Sequence, residues 1–179
     1  MITEKDIPNA YRYVLAHVRN RFPGAIIAGG ALRDLDCGLS PKDVDIFIPI
    51  DNKPDIQDLS DYFNLEPHTI NAEKANQVDR TIYAIYHINH AGIEFELIFG
   101  TPDACDIYTF DINICQIQYD GNTISRTSDY MSGMANKVID FVNPQGKKRM
   151  EERAARMQTK FPGFSIKKAA PKESCFNGY

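Results

Sequence analysis

Apolar residues recur at helical spacing near the start of the chain. Ile7, Tyr11, Val14, Leu15 and Val18 fall on one stripe of "TEKDIPNAYRYVLAHVRNRF". This spacing predicts an amphipathic helix with Thr3 as its N-cap, and it leaves His17 off the stripe, at the surface. Pro23-Gly24 closes that helix, and the period then changes. "AIIA" is a short continuous apolar run, the pattern of a buried strand, and "ALRDLD" returns to a short helix stopped near Gly38. "DVDIFIPI" reads as the next strand and "IQDLSDYF" as a further helix. "TIYAIYHINHAGIEFELIF" holds two β-rich runs around Asn89-His90-Ala91-Gly92, the signal of a hairpin. His87 and His90 flank its turn. With no supporting ligands nearby in sequence, turn and edge positions suit them better than a metal site. "DINICQIQYD" is expected as a strand, followed by a turn at Asp120-Gly121-Asn122. "KVIDFV" reads as a short strand or an extended link, and residues 145–160 as a helix. Strands interleaved with helices, plus one hairpin, predict an α+β domain built on a mixed β-sheet flanked by helices. The expected division is a domain over residues 1–166 and a loosely ordered basic tail over 167–179.

Composition narrows the class. The 179 residues are 43% hydrophobic and include ten Phe and nine Tyr, enough for one domain with a substantial core. No apolar run has the length of a membrane span, and "MITEKDIPNAYRY" lacks the layout of a signal peptide. Cys37, Cys105, Cys115 and Cys175 are scattered without a CxxC pair, which favours free thiols over a disulfide frame or zinc site. A cytoplasmic protein with no membrane partner is the expectation. The net charge of −4 excludes a chain coated in positive charge. From Lys147 onward, however, nine Lys and Arg face only Glu151, Glu152 and Glu173. That region is either a local landing strip for a polyanion or a solvated helix with a loose tail.

Two features carry candidate chemistry. A strand ending in Gly29-Gly30 and feeding a helix directs backbone N–H groups and the positive end of the helix dipole toward a phosphate. Arg33, one turn on, could add a charged fork. The pair fits neither the dinucleotide-binding pattern nor the Walker A loop. Asp43 and Asp45 are two apart on an expected strand, so both emerge on one face. Adjacent carboxylates repel unless a cation joins them, and hard oxygen ligands suit Mg²⁺; Asp at a strand start is also an ordinary turn residue. "GIEFELIFG" supplies Glu94 and Glu96 on one face of an apolar strand, either at a solvated edge or serving a site. Three carboxylates from two strands suffice for two Mg²⁺ ions, which would activate a hydroxyl and steady a leaving pyrophosphate.

The run "GGALRDLDCGLSPKDVD" resembles the signature of bacterial CCA-adding enzymes and poly(A) polymerases, members of the polymerase-β-like nucleotidyltransferase superfamily. Both share Gly-Gly-x-x-Arg-Asp, a Gly, then Pro-Lys-Asp-x-Asp. The resemblance implies a polymerase-β-type fold, a nucleoside triphosphate as substrate, and two Mg²⁺ ions held by Asp43, Asp45 and Glu96, with "FELIF" selecting Glu96 over Glu94. "FDINICQIQYD" is similar to the segment whose Asp lies near the ribose, which falls on Asp111; Phe110 stands where that family has Arg, and Cys115 where it has Asn. "KKRMEERAARM" resembles the helix that reads the base edge, here through Arg153 and Arg156. The implied function is transfer of a nucleoside monophosphate to an acceptor hydroxyl, first of all an RNA 3′ end, with the basic C-terminal region contacting the RNA. A protein or small-molecule hydroxyl is the alternative acceptor, and a non-catalytic nucleotide- or protein-binding module is the alternative role. The absence of a long acceptor-binding helical region after this segment raises the expectation of a protein partner or self-association.

Overall fold

Pro8 decides where the first helix begins. A residue before proline is driven out of the helical region, and Ile7 is accordingly extended, at φ −70° and ψ 123°. Helix α1 therefore spans Asn9–Arg19, not a longer stretch from Thr3. Thr3 instead anchors a 3₁₀ turn over Glu4–Asp6, its N–H and hydroxyl both donating to the Asp6 carboxylate at 2.7 and 2.8 Å. Tyr11, Val14, Leu15 and Val18 are buried along α1 and His17 is exposed, as the stripe predicts. In this computed structural model the described residues are 1–51, 82–143 and 147–167. The helix expected at "IQDLSDYF" and the expected tail beyond Lys167 lie outside them.

Strand β1 (Ile26–Ala28) leads into α2 (Gly30–Asp36), and β2 (Asp43–Pro49) follows. The hairpin is β3 (Ile82–His90) and β4 (Ile93–Gly100), turned by Ala91 and Gly92, both at positive φ. After β4 come β5 (Ile117–Tyr119) and β6 (Ile124–Arg126), helix α3 (Ser128–Asn136), β7 (Val138–Asp140), helix α4 (Lys147–Lys160) and β8 (Ser165–Lys167). Among the described residues the main sheet has six strands, in the order β3-β4-β2-β1-β5-β6. Only β2 and β4 run parallel; the other neighbours are antiparallel, so the sheet is mixed. The expected α+β class is the observed one.

Alternation sets the two faces of this sheet. Val44, Ile46 and Ile48 are fully buried, while Asp43, Asp45 and Phe47 between them are partly exposed. Phe95, Leu97 and Phe99 of β4 join the same buried layer, packed against α1 through the edge contact of Tyr11 on Phe95 at 5.8 Å. The opposite face is polar along β2 and β4. A second apolar cluster lies beside it, joining Ile112, Ile114, Cys115, Ile139 and Phe141 to Met157 and Phe161 from α4 and the turn after it. The parallel pair β7–β8 lies beside this cluster.

One local reading is corrected. "DINICQIQYD" is strand only from Ile117, because Asn113–Cys115 forms a 3₁₀ turn. The Asn113 side chain holds that turn, its Oδ1 accepting from the N–H groups of Ile114 and Asp140 at 2.8 and 2.9 Å. Helix α3 carries no strong apolar stripe; Thr127 caps it, accepting from the Tyr130 N–H at 3.1 Å. Asp36 is a buried tether that the sequence pattern does not mark. It accepts from the Ile2 N–H and, at 2.6 Å, from the Tyr130 hydroxyl, and it pairs with Arg126 at 3.6 Å.

Candidate active site

Parallel pairing brings the expected carboxylates side by side. Asp43 lies opposite Glu94, and Asp45 opposite Glu96. Neighbouring strands are about 4.8 Å apart, so four acidic side chains form two rows on one face. Burial pushes the Asp45 carboxyl up to about 7, with Glu96 and then Asp43 adding repulsion. The positive charges of Arg153 and Arg33 act the other way, which places both guanidinium groups within electrostatic reach of Asp45. Carboxylates crowded on one face repel one another, and a donor set of hard oxygens fits Mg²⁺. Asp43, Asp45 and Glu96 are the residues that would hold it.

The hairpin adds a member. His87 pairs with Glu96 and Asn89 with Glu94, so His87 rises on the acidic face. Its Nδ1 is 3.3 Å from Glu94 Oε1 and 3.6 Å from Glu96 Oε1. Among the described residues, His87, Glu94 and Glu96 bring one ligand atom each within 4.8 Å of one another; Asp43 and Asp45 are outside that group. His87 does lie on the edge strand β3, as expected, but its side chain meets two carboxylates there, and Glu94 sits with the site. Counting back from the Ala91-Gly92 turn in hairpin register carries this signal, since residues 87 and 96 then face each other.

The glycine pair is placed differently from expectation in one respect. Gly29 adopts φ 82° and ψ −127°, a conformation that favours glycine, and caps α2. Its N–H donates to the Ile117 carbonyl at 3.0 Å, so this amide belongs to the sheet and not to a phosphate cradle. The first intrahelical bond of α2 runs from Arg33 N–H to the Gly29 carbonyl, leaving the Gly30 amide as a first-turn donor without an intrahelical acceptor.

Arg33 is not an open fork. It is 4% exposed, and its Nε and Nη2 donate to Asp34 Oδ1 at 2.9 and 2.7 Å. Nη1 donates to Cys115 Sγ at 3.1 Å, and the guanidinium lies 5.0 Å from the centre of the Phe161 ring. Lys160 of α4 closes on the other Asp34 oxygen. The substitution at Cys115 is therefore the partner of Arg33. Phe110 packs on Phe47 at 4.9 Å, and a Cβ at Gly29 would lie 3.5 Å from its ring. An apolar wall stands where the resemblance implies a charged group.

Asp111 and Arg153 do come together, at 3.2 Å, with Asp111 buried. Arg156 is exposed on α4. Lys160, Phe47 and His87 are members of this region that motif spacing alone does not reveal, and Asp34 is the motif's own Asp, found here as the partner of Arg33.

A family model, the Gabija anti-defense 2 family protein, matches residues 3–137. The chain belongs to the Gabija anti-defense 2 family. Its fold is shared more widely. It is similar to a tRNA-processing enzyme in an apo form, with a TM-score of 0.64 at 16% identity over 90% of this chain and 45% of that one. The Thermotoga maritima CCA-adding enzyme complexed with tRNA gives 0.60 at 16% identity, covering 92% of this chain and 41% of that one. The Bacillus stearothermophilus CCA-adding enzyme in complex with CTP gives 0.56 at 21% identity, covering 92% and 42%. The chain spans less than half the length of each of these structures. No curated protein matches the chain. These likenesses place this member of the Gabija anti-defense 2 family among proteins of polymerase-β-like nucleotidyltransferase fold. Among the described residues, no helix is long and apolar enough to cross a membrane, and Cys37, Cys105 and Cys115 are free thiols.

Proposed function

We propose that the protein is a Mg²⁺-dependent nucleotidyltransferase that moves a nucleoside monophosphate from a nucleoside triphosphate to an acceptor hydroxyl, releasing pyrophosphate. The observation that carries this reading is the register Asp45 opposite Glu96, within electrostatic reach of Arg153 and Arg33. Two bound Mg²⁺ ions would neutralise the triphosphate and lower the barrier to deprotonating the hydroxyl. Asp43 and Asp45 orient the site from one rigid strand, while Glu96 faces the acceptor side and takes up the hydroxyl proton. Arg153, aligned by Asp111, supplies a fork for the nucleotide, with Arg156 exposed on the same helix. Positioning and charge neutralisation do the work expected of phosphoryl transfer.

The acceptor ranked first is an RNA 3′ end, which the tRNA- and nucleotide-bound structural neighbours support. The family description supports a setting in which this transfer acts against a defence system. Purified protein given α-³²P nucleoside triphosphates with total RNA or total protein should show Mg²⁺-dependent incorporation. Asp43→Asn and Asp45→Asn should each reduce incorporation at least about 10²-fold with the fold intact. Labelling that survives both substitutions refutes the assignment.

A second reading, a non-catalytic binding module acting on a protein partner, is favoured by one observation: the Arg33 fork and the Gly29 amide are both spent inside the protein. Full anti-defence effect in the Asp43→Asn, Asp45→Asn double variant would select it.

A further inference from the structure

The acidic face contains a nitrogen donor that a triad of carboxylates does not require. His87 Nδ1 is buried and makes no hydrogen bond, and it points between Glu94 and Glu96. The His87 side chain is 23% exposed, Glu94 50% and Glu96 24%, so an ion can reach all three from solvent. Ligands bound at about 2.1 Å around one ion stand about 3.0 Å apart at octahedral angles and about 3.4 Å apart at tetrahedral angles. The observed 3.3 and 3.6 Å from Nδ1 to the two carboxylate oxygens match that spacing without rearrangement of the strands. Backbone pairing fixes it: His87 and Glu96 are direct partners across the hairpin, and Glu94 is one pleat away on the same face.

We propose that His87, Glu94 and Glu96 bind a divalent first-row transition ion, with Mn²⁺ preferred over Mg²⁺, and that Glu96 links this ion to the neighbouring carboxylate of Asp45. The inference rests on the nucleotidyl-transfer reading for the use of the ion, though not for its binding. An imidazole nitrogen adds little to Mg²⁺, which keeps oxygen and water ligands, but it raises affinity for Mn²⁺ and the ions after it. The ligating form of His87 is the neutral imidazole, with the lone pair of Nδ1 on the metal.

The test uses the full chain with Mn²⁺ alone as the probe. Pulsed electron paramagnetic resonance should show ¹⁴N coupling to bound Mn²⁺, lost in His87→Gln and retained in His90→Gln. By titration, Mn²⁺ should bind about tenfold or more tightly than Mg²⁺, and His87→Gln should remove most of that preference. Glu94→Gln, a half-exposed surface change, should weaken Mn²⁺ about tenfold and guards against a folding defect in the histidine variant. Bound Mn²⁺ without nitrogen coupling, or coupling unchanged in His87→Gln, overturns the proposal and leaves His87 as a packing neighbour of the two carboxylates. Nitrogen-coupled Mn²⁺ in a protein that transfers no nucleotide upholds this site and removes the reaction. Transfer with Mg²⁺ but no nitrogen coupling does the reverse.

Discussion

Asp45 is where charge and fold conflict most directly. Its carboxyl is pushed up to about 7 from an ordinary 3.8, because it is largely withdrawn from water and lies beside Glu96 and Asp43. The folded state thus binds this proton more tightly than the unfolded state. Stability from this group is full below pH 3.8 and is lost as pH rises to about 7, with no further loss above. Asn cannot ionise, so Asp45→Asn should melt at a higher temperature than the parent at about pH 8 in chelator, and the gap should narrow at about pH 5 and close toward pH 3.8. Adding Mg²⁺ or Mn²⁺ at pH 8 should raise the melting temperature of the parent and leave the variant nearly unchanged. An equal gap at both pH values would show that Asp45 carries no such strain. The same substitution that stabilises the metal-free fold is expected to abolish transfer, the usual sign of a residue kept for function.

Elements built on local pattern were legible, and contacts between distant segments were not. The Gly-Gly entry to α2, the alternation in β2 and the Ala91-Gly92 hairpin are each encoded within about ten residues, so period and turn chemistry reveal them. Arg33 could not be placed that way, because its partners Cys115 and Met157 lie 82 and 124 positions away. Helix α3 was missed for a related reason. "SDYMSGMAN" buries only Tyr130 and Gly133, too few for a helical stripe. Its docking depends on Gly133, where an added Cβ would run into Asn113 Nδ2 and stand 2.9 Å from the Val138 carbonyl. Asn113 cannot give way cheaply, since it donates to Val138 at 3.0 Å and accepts from Ile114 and Asp140. Gly133→Ala should therefore cost about 1–3 kcal/mol in denaturant melts. Gly163→Ala, at a position with open space around it, should stay within about 0.5 kcal/mol of the parent. Equal melts for the two variants would mean that α3 is not docked through Gly133.

At the scale of the whole molecule, a chain of net charge −4 presents an acidic face where, in the proposed reaction, a triphosphate and an acceptor would meet. Polyanions approach such a face only where cations offset it, and among the described residues α4 carries several of them. Arg153 is turned inward to Asp111, while Lys148 and Arg156 are exposed. Met157 and Phe161 fix the other side of the helix in the second apolar cluster, and Lys160 ties its end to Asp34 beside Arg33. This division of one helix into a docked side and a cationic side gives the RNA proposal a specific form. Charge reversal at Lys148 and Arg156 together should weaken RNA binding several-fold in Mg²⁺ buffer. The slope of log affinity on log salt should become shallower by about 0.7 for each phosphate of a single strand that is no longer neutralised. Lys5→Glu, an exposed change of the same sign in the N-terminal turn, should leave both nearly unchanged. The double reversal does not touch the carboxylates, so self-labelling or labelling of a small acceptor should persist in it. If RNA affinity and salt slope are the same for the double reversal and the Lys5 variant, α4 is a solvated helix, and the acceptor hydroxyl belongs to something other than RNA.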